Sequence, residues 1–318
     1  MAVDFKGTAD ELKKVLAAAA SAGAFHQNAD GRATYMYGLN AAAVDDQRTF
    51  YPANQISIPK TTGIVILDGG RVYFDRSAGS ATFRTVNDRD FYVGVAVGDA
   101  ASADSTIVVN LNVEPRYETA MWGGKVISQN IWTPEATNGL GVTPHFGGAA
   151  QFAFDAVAEA AQVALYSERT FPIASNAIFE FRWAIANKGD NSALDIDIGL
   201  SNGSHATDFE SVTEYVAFHL DGNTLDLDAH SKDGFSNVSI TDTTINLTEG
   251  TYVECWIDCR DQDDIQMYVD GVLVLGSSRF TLNGATGPVK PIIMMEKTSD
   301  DTVADLRVAF AQVRIAEQ

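Results

Sequence analysis

The sequence predicts an all-β chain of two domains. A small antiparallel, barrel-like domain with one short helix precedes a two-sheet antiparallel sandwich. Three observations predict it. Short apolar runs between residues 60 and 115 are cut every few residues by Gly, Asp and Ser, which leaves no interval long enough for a crossover helix, so pairing there must be antiparallel. From Ala149 onward, apolar and polar residues alternate with a period of two over about ten stretches. The 318 residues suffice for two cores, and 46% hydrophobic against 20% charged residues is a globular balance.

Taken in order, Asp10 to Gly23 reads as the helix. Thr8 or Asp10 caps it, and Leu12, Val15, Leu16 and Ala19 recur at three and four. Tyr35–Leu39 and Gln55–Ile58 are weak strand candidates, and Pro59 marks entry to the central stretch. There Ile64–Leu67, Arg71–Asp75, Ala81–Val86, Phe91–Val97 and Thr106–Val113 are the five β-runs, with turns at Asp68-Gly69-Gly70 and Ser77-Ala78-Gly79-Ser80. Five runs of this length suit a closed or nearly closed small sheet.

The words GGRVYFD and VNDRDFYVGVAVGDAASADSTIVVNLNVEP in this stretch resemble the core of phage capsid cement (head decoration) proteins. That resemblance implies a non-enzymatic virion protein on the outer surface of the head. It also implies major capsid protein as partner, self-association as a homotrimer, and stabilisation of the capsid lattice. Arg71, Arg76, Arg84 and Arg89 are the candidate capsid contacts, interleaved with Asp68, Asp75, Asp88 and Asp90.

Domain boundaries follow from texture: 1–115, a Gly/Pro-rich linker over 116–148, and 149–318. In the last segment Phe179, Phe181, Trp183 and Ile185 share one face, as do Leu194, Ile196, Ile198 and Leu200. Val216, Phe218 and Leu220 run through Asp221-Gly222-Asn223 into Leu225 and Leu227, a hairpin signature; Asp270-Gly271 is a second. The run Tyr252–Trp256 followed by Tyr268-Val269-Asp270-Gly271 resembles the concanavalin A-like (laminin G/pentraxin-like) jelly roll. Members of that fold include lectins, glycanases and inert spacers, so the resemblance implies a jelly roll and leaves activity open; on a phage head that jelly roll would face outward.

Charge excludes some functions. Residues 1–120 carry eleven Lys/Arg against fourteen Asp/Glu, and the remainder eleven against twenty-eight, giving nets of −3 and −17. The acidic half repels nucleic acid and anionic membranes. No apolar run reaches the roughly 18 residues of a membrane span, and the N-terminus lacks a signal-peptide layout, so synthesis in a host cytoplasm is expected. Cys255 and Cys259, four apart on a strand, would stand about 13 Å from each other, too far for a disulfide.

No catalytic residue is assigned. Asp195 and Asp197 share a strand face near Glu180, but jelly-roll glycanases carry Glu-x-Asp-x-x-Glu there, and Leu194-Asp195-Ile196-Asp197-Ile198-Gly199 has no glutamate. A glycan-binding alternative rests on a two-residue hairpin loop, which would set His219 opposite Asp226 and Tyr215 opposite His230, with Asp228 alongside. Asp258, Asp261, Asp263 and Asp264 form an acidic turn able to offer oxygen ligands to Ca²⁺, without the spacing of a defined calcium loop. No cofactor is expected.

Overall fold

The computed structural model describes residues 12–15, 20, 24–36, 40–52, 55–122, 131–145, 148–190, 193–205 and 208–316. It divides the chain into two compact units, Met1–Arg116 and Tyr117–Gln318. Among the described residues there is no α-helix, only strands and 3-10 turns.

The first unit holds two antiparallel sheets. Strands β1 (Leu12–Val15), β2 (Phe25–Gln27), β3 (Ala33–Met36) and β4 (Gln47–Tyr51) lie in the order β1-β4-β3-β2. Strands β5 (Gln55–Pro59), β6 (Arg71–Asp75), β7 (Ser80–Thr82), β8 (Phe91–Ala96) and β9 (Thr106–Leu111) lie in the order β5-β9-β8-β6-β7. Asn112 ties them together: its Oδ1 accepts the Ala33 N–H at 2.8 Å and its Nδ2 donates to the Ala33 carbonyl at 2.9 Å.

Two expectations are corrected in this unit. The helix is replaced at Leu12–Val15 by an edge strand paired with Gln47–Phe50; its expected caps Thr8, Asp10 and Gly23 lie outside the described residues. A four-residue apolar pattern cannot separate the two periods, an isolated short helix is marginal in water, and an open sheet edge offers unpaired backbone groups. The barrel is not closed. Among the described residues edge strands β5 and β7 share no ladder: Lys60, just past β5, meets Ala81 in an isolated parallel bridge, and Ile64–Leu67 contributes the isolated Ile66–Ala100 bridge.

The second unit is the predicted sandwich. Its strands are β10 (Thr119–Trp122), β11 (Trp132–Thr137), β12 (Val142–Pro144), β13 (Ala150–Ala153), β14 (Glu159–Ser167), β15 (Ala177–Asn187), β16 (Leu194–Ser201), β17 (Glu214–Asp221), β18 (Asp226–Asp233), β19 (Asn237–Asn246), β20 (Val253–Asp258), β21 (Gln266–Val269), β22 (Val272–Val274), β23 (Lys290–Asp300) and β24 (Asp305–Ile315). One sheet runs β12-β13-β24-β15-β20-β21-β22, with β10 also on β24; the other runs β11-β14-β23-β16-β17-β18-β19. Phe179, Phe181, Trp183, Ile196, Ile198, Phe218, Leu220, Cys255 and Met267 fill the space between them. Both cysteines are free and buried there.

The segment 116–148 is not a free linker, because β10, β11 and β12 lie inside it. Trp132 is fully buried in the sandwich core. Pro134 and Pro144 fit because β11 and β12 are the edge strands of their sheets, where a residue without an N–H breaks no ladder.

Candidate functional site

The alternation of β16 turns Leu194, Ile196, Ile198 and Leu200 into the core. It therefore turns Asp195, Asp197, Gly199 and Ser201 to the outer face of the seven-stranded sheet. Register then stacks polar groups across neighbouring strands. Asp195 lies opposite Glu296 on β23 and Asp221 on β17. Asp197 lies opposite His219, His219 opposite Asp228, and Asp228 opposite Asp242. Gly199 takes the place of a third acid because an added Cβ would run into the Val216 carbonyl oxygen on β17.

The chain after β16 folds back over this face. Its 3-10 turn, Phe209–Ser211, is held by Asp208, which accepts the Ser211 hydroxyl at 2.6 Å. Phe209 packs on Ala217, Tyr215, Ile292 and Met294, and its N–H donates to Glu296 Oε1 at 3.2 Å. Beneath the turn, Asp197 Oδ1 stands 3.0 Å from His219 Nδ1 and 2.8 Å from His230 Nε2. His219 Nε2 reaches Asp221 Oδ1 at 3.3 Å, and the rings of Tyr215 and Phe209 lie 4.7 and 5.8 Å from that of His230.

Electrostatics pull the group apart. Burial acts to raise the Asp197 carboxyl, but the His219 charge and the bonds from both imidazoles overcome it and hold it at about 2. Burial acts to lower His219, and Asp197 overrides that, lifting the imidazole to about 10. Burial, then the bond with Asp221, pushes Asp195 up to about 7; burial, then the Asp197 charge, pushes Glu296 up to about 9.

The predicted glycan residues are therefore redistributed. Tyr215, His219 and His230 are buried, which corrects their reading as a ligand-facing surface; Asp228 is half-buried and Asp226 exposed. The partners differ as well: His219 faces Asp228, Tyr215 faces Lys232 and Ala217 faces His230. The hairpin loop is four residues, Gly222–Leu225, with Asn223 left-handed and the Thr224 hydroxyl bonded to the Asp221 carbonyl. A slip of two keeps the face and changes every partner.

A second site lies where hairpin and loop ends of both sheets converge. A groove of about 500 Å³ is lined by residues of the β18–β19 turn, of the β20–β21 loop (Asp263) and of the β22–β23 connection, Arg279 to Gly284. At its lip Phe235 is 86% exposed. The turn beneath it is fixed by the buried Asp233 carboxylate, whose Oδ1 accepts the N–H groups of Phe235 and Ser236 at 2.9 and 2.5 Å. Its Oδ2 accepts the Gly284 N–H at 3.1 Å. A Cβ on Gly284 would come within 2.8 Å of the Phe235 ring, so glycine lets the ring lie against that backbone.

The acidic turn does not gather as a calcium site. Asp258 is held by Arg260 at 2.6 to 3.1 Å, Asp261 Oδ1 accepts the Asp263 N–H, and Asp263 faces the groove. In the first unit Arg71 begins β6, Arg76 and Arg89 lie exposed in turns, and Arg84 sits 5.1 Å from the Phe83 ring. Sequence reasoning missed Glu210 and Glu296, which carry no local signal, and Phe235, whose signal was an aromatic in the hairpin turn Asp233-Gly234-Phe235-Ser236.

No family model matches the chain, and no curated protein matches it. Among solved structures, one from work on endo-acting O-glycanases of the human gut microbiota is 10% identical, covering 64% of this chain and all of its own, with a TM-score of 0.48. The Emp47p carbohydrate recognition domain is 11% identical over 62% of this chain and 95% of its own, TM-score 0.46. A putative beta-glucanase from Mycobacterium abscessus is 9% identical over 63% of this chain and all of its own, TM-score 0.45. With such enzymes among the likenesses, the expectation that the chain is not an enzyme is left without support. At this identity they establish no activity for it either.

Proposed function

We propose that the sandwich unit is a carbohydrate-binding module and that the groove beside Phe235 is its contact surface. The observation that carries this reading is Phe235 itself. A phenyl ring left in water, on a turn pinned by three backbone bonds to Asp233, suits a ligand with a flat C–H face. The side chains around it, Arg279, Asn283 and Asp263, offer donors and acceptors of the kind sugar hydroxyls need. Pyranose rings present both surfaces at once. The volume lies within the range of small-ligand sites, and the fixed turn reduces the ordering cost of binding.

The test is a glycan array followed by titration calorimetry on the full chain. Saturable binding to a defined glycan is expected, weakened at least tenfold in Phe235→Ala with the melting temperature unchanged. Binding to no glycan, or binding indifferent to Phe235→Ala and Arg279→Ala together, refutes it.

A second reading concerns the first unit and rests on the sequence words of residues 60–115. It is a mount on a phage head, held at capsid subunits by Arg71, Arg76, Arg84 and Arg89, trimeric, and displaying the sandwich outward on the virion. An interface of roughly 1,600 Å² would hold it without covalent links. Cosedimentation with expanded, undecorated heads should saturate; failure to bind any such shell ends this reading and leaves the glycan reading intact.

A further inference from the structure

The cluster under the 3-10 turn has no part in the glycan groove. Its four ligand-type side chains, Asp197, Glu210, His219 and His230, place one N or O atom each within 4.8 Å of all the others. They come from β16, β17, β18 and the covering turn, so the fold alone gathers them. We propose that these four residues bind a single divalent transition-metal ion of the zinc type, which clips the turn to the sheet.

Spacing supports this. A tetrahedral ion with bonds of about 2.0–2.1 Å holds its ligand atoms about 3.3 Å apart. The separations here bracket that value: 2.8 Å for His230 Nε2 to Asp197 Oδ1, 3.0 Å for His219 Nδ1 to Asp197 Oδ1, and 3.8 Å for His219 Nδ1 to Glu210 Oε1. Two imidazoles and two carboxylates neutralise a divalent charge and are the donor set of zinc. Calcium, by contrast, takes six to eight oxygens.

An independent observation points to an absent partner. Asp197 is 1% exposed, and its Oδ2 makes no hydrogen bond among the described residues. Both imidazoles approach Oδ1 and leave Oδ2 bare, and a bare buried carboxylate oxygen is costly. A cation held by this carboxylate would offset that cost. Further acids adjoin the four: Asp195 and Asp221 lie within 4.8 Å of His219, Asp208 and Glu296 within 4.8 Å of Glu210, and Glu296 Oε2 is likewise buried without a partner among the described residues. An outer shell is also in place. His219 offers its far nitrogen to Asp221, and the rings of Tyr215 and Phe209 fix that of His230.

The experiment uses the full chain stripped with a chelator. Zn²⁺ is titrated in competition with a chromogenic chelator, with Ca²⁺ as a parallel arm, and Co²⁺ is added as a spectroscopic probe. One Zn²⁺ per chain is expected, with tetrahedral visible bands for Co²⁺. At a hundredfold excess of free Zn²⁺ over its dissociation constant, the melting temperature of the sandwich should rise by about 5–11 °C. Glu210→Gln, on the half-exposed turn, keeps the fold and should weaken uptake at least tenfold; His230→Gln should do so more strongly. No saturable Zn²⁺ uptake by the folded wild type overturns the proposal. So does Ca²⁺ binding in place of Zn²⁺, or Zn²⁺ uptake unchanged in Glu210→Gln. None of these readouts involves a sugar, so their failure leaves the groove reading standing, and the reverse holds.

Discussion

Asp233→Asn tests the proposition that one buried carboxylate builds the groove. Oδ1 of Asp233 accepts the N–H groups of Phe235 and Ser236, while Oδ2 accepts the N–H of Gly284 and lies 3.5 Å from the Thr281 hydroxyl. Asparagine can keep the first pair only by aiming its NH₂ group at the Gly284 N–H, donor against donor. The flipped amide would oppose two N–H groups instead of one. The variant thus loses one charge-assisted bond, weakens two and buries a mismatched donor, a cost of about 2–3 kcal/mol. For a unit of this size that lowers the melting temperature by about 4–12 °C.

The same residue gives a pH signature. Burial acts to raise the Asp233 carboxyl, but the N–H groups of Ser236, Phe235 and Gly284 outweigh it and hold it below its ordinary 3.8. Its folded value lies below the unfolded one, so its contribution is complete above the unfolded value and is lost as pH falls through the folded one. The gap between wild type and Asp233→Asn should therefore be full at pH 7 and narrow below about pH 4. Thermal melts by circular dichroism at pH 7, 5 and 3.5 measure it. A gap under 1 °C at pH 7, or one of equal size at every pH, refutes the reasoning.

Three further outcomes follow from other parts of the sandwich. Gly199→Ala should destabilise by about 3 kcal/mol or more in urea unfolding, since its Cβ has nowhere to go but into the β17 backbone; a loss under 1 kcal/mol would mean that β16 and β17 separate easily. Glu180→Ala leaves buried Arg314 without the carboxylate that sits 2.7 Å from its Nε and strips Gln312 of a 2.9 Å acceptor. A cost of about 3–5 kcal/mol is expected in the same assay, and a neutral result would refute the pairing. Burial pushes both thiols, Cys255 and Cys259, above their usual range, so iodoacetamide at pH 8 should leave them unmodified by mass spectrometry until denaturant is added.

Much of the sandwich was legible in the residues. The faces of β15, β16, β17 and β20 follow from alternation alone, and the Asp270-Gly271 turn joins Val269 to Val272 as its two left-handed residues require. The stretch 116–148 reads as a Gly/Pro-rich linker too apolar at Trp122, Ile131 and Trp132 for a free tether, because Gly and Pro mark an edge strand as readily as a loop; the pairing of β11 with β14 and the burial of Trp132 show which it is there. The helix at Asp10–Gly23 failed for a related reason, since Leu12 and Val15 fit either period until a sheet edge claims them.

The sequence by itself determined which side chains of the second unit face inward and which outward, because a two-residue period is a property of the strand and needs no neighbour. It thereby turned Asp195 and Asp197 to one side of their strand and His219 and His230 to one side of their hairpin, while the pairing that joins the two groups came from the fold. Tertiary structure alone decided that Glu210 and Glu296 would join Asp197, that Tyr215 and the two imidazoles would be covered, and that Phe235 would stand free above Arg279 and Asn283. Those outcomes depend on where a returning loop and three distant turns come to rest, and a distance across such loop closures is written in no local pattern.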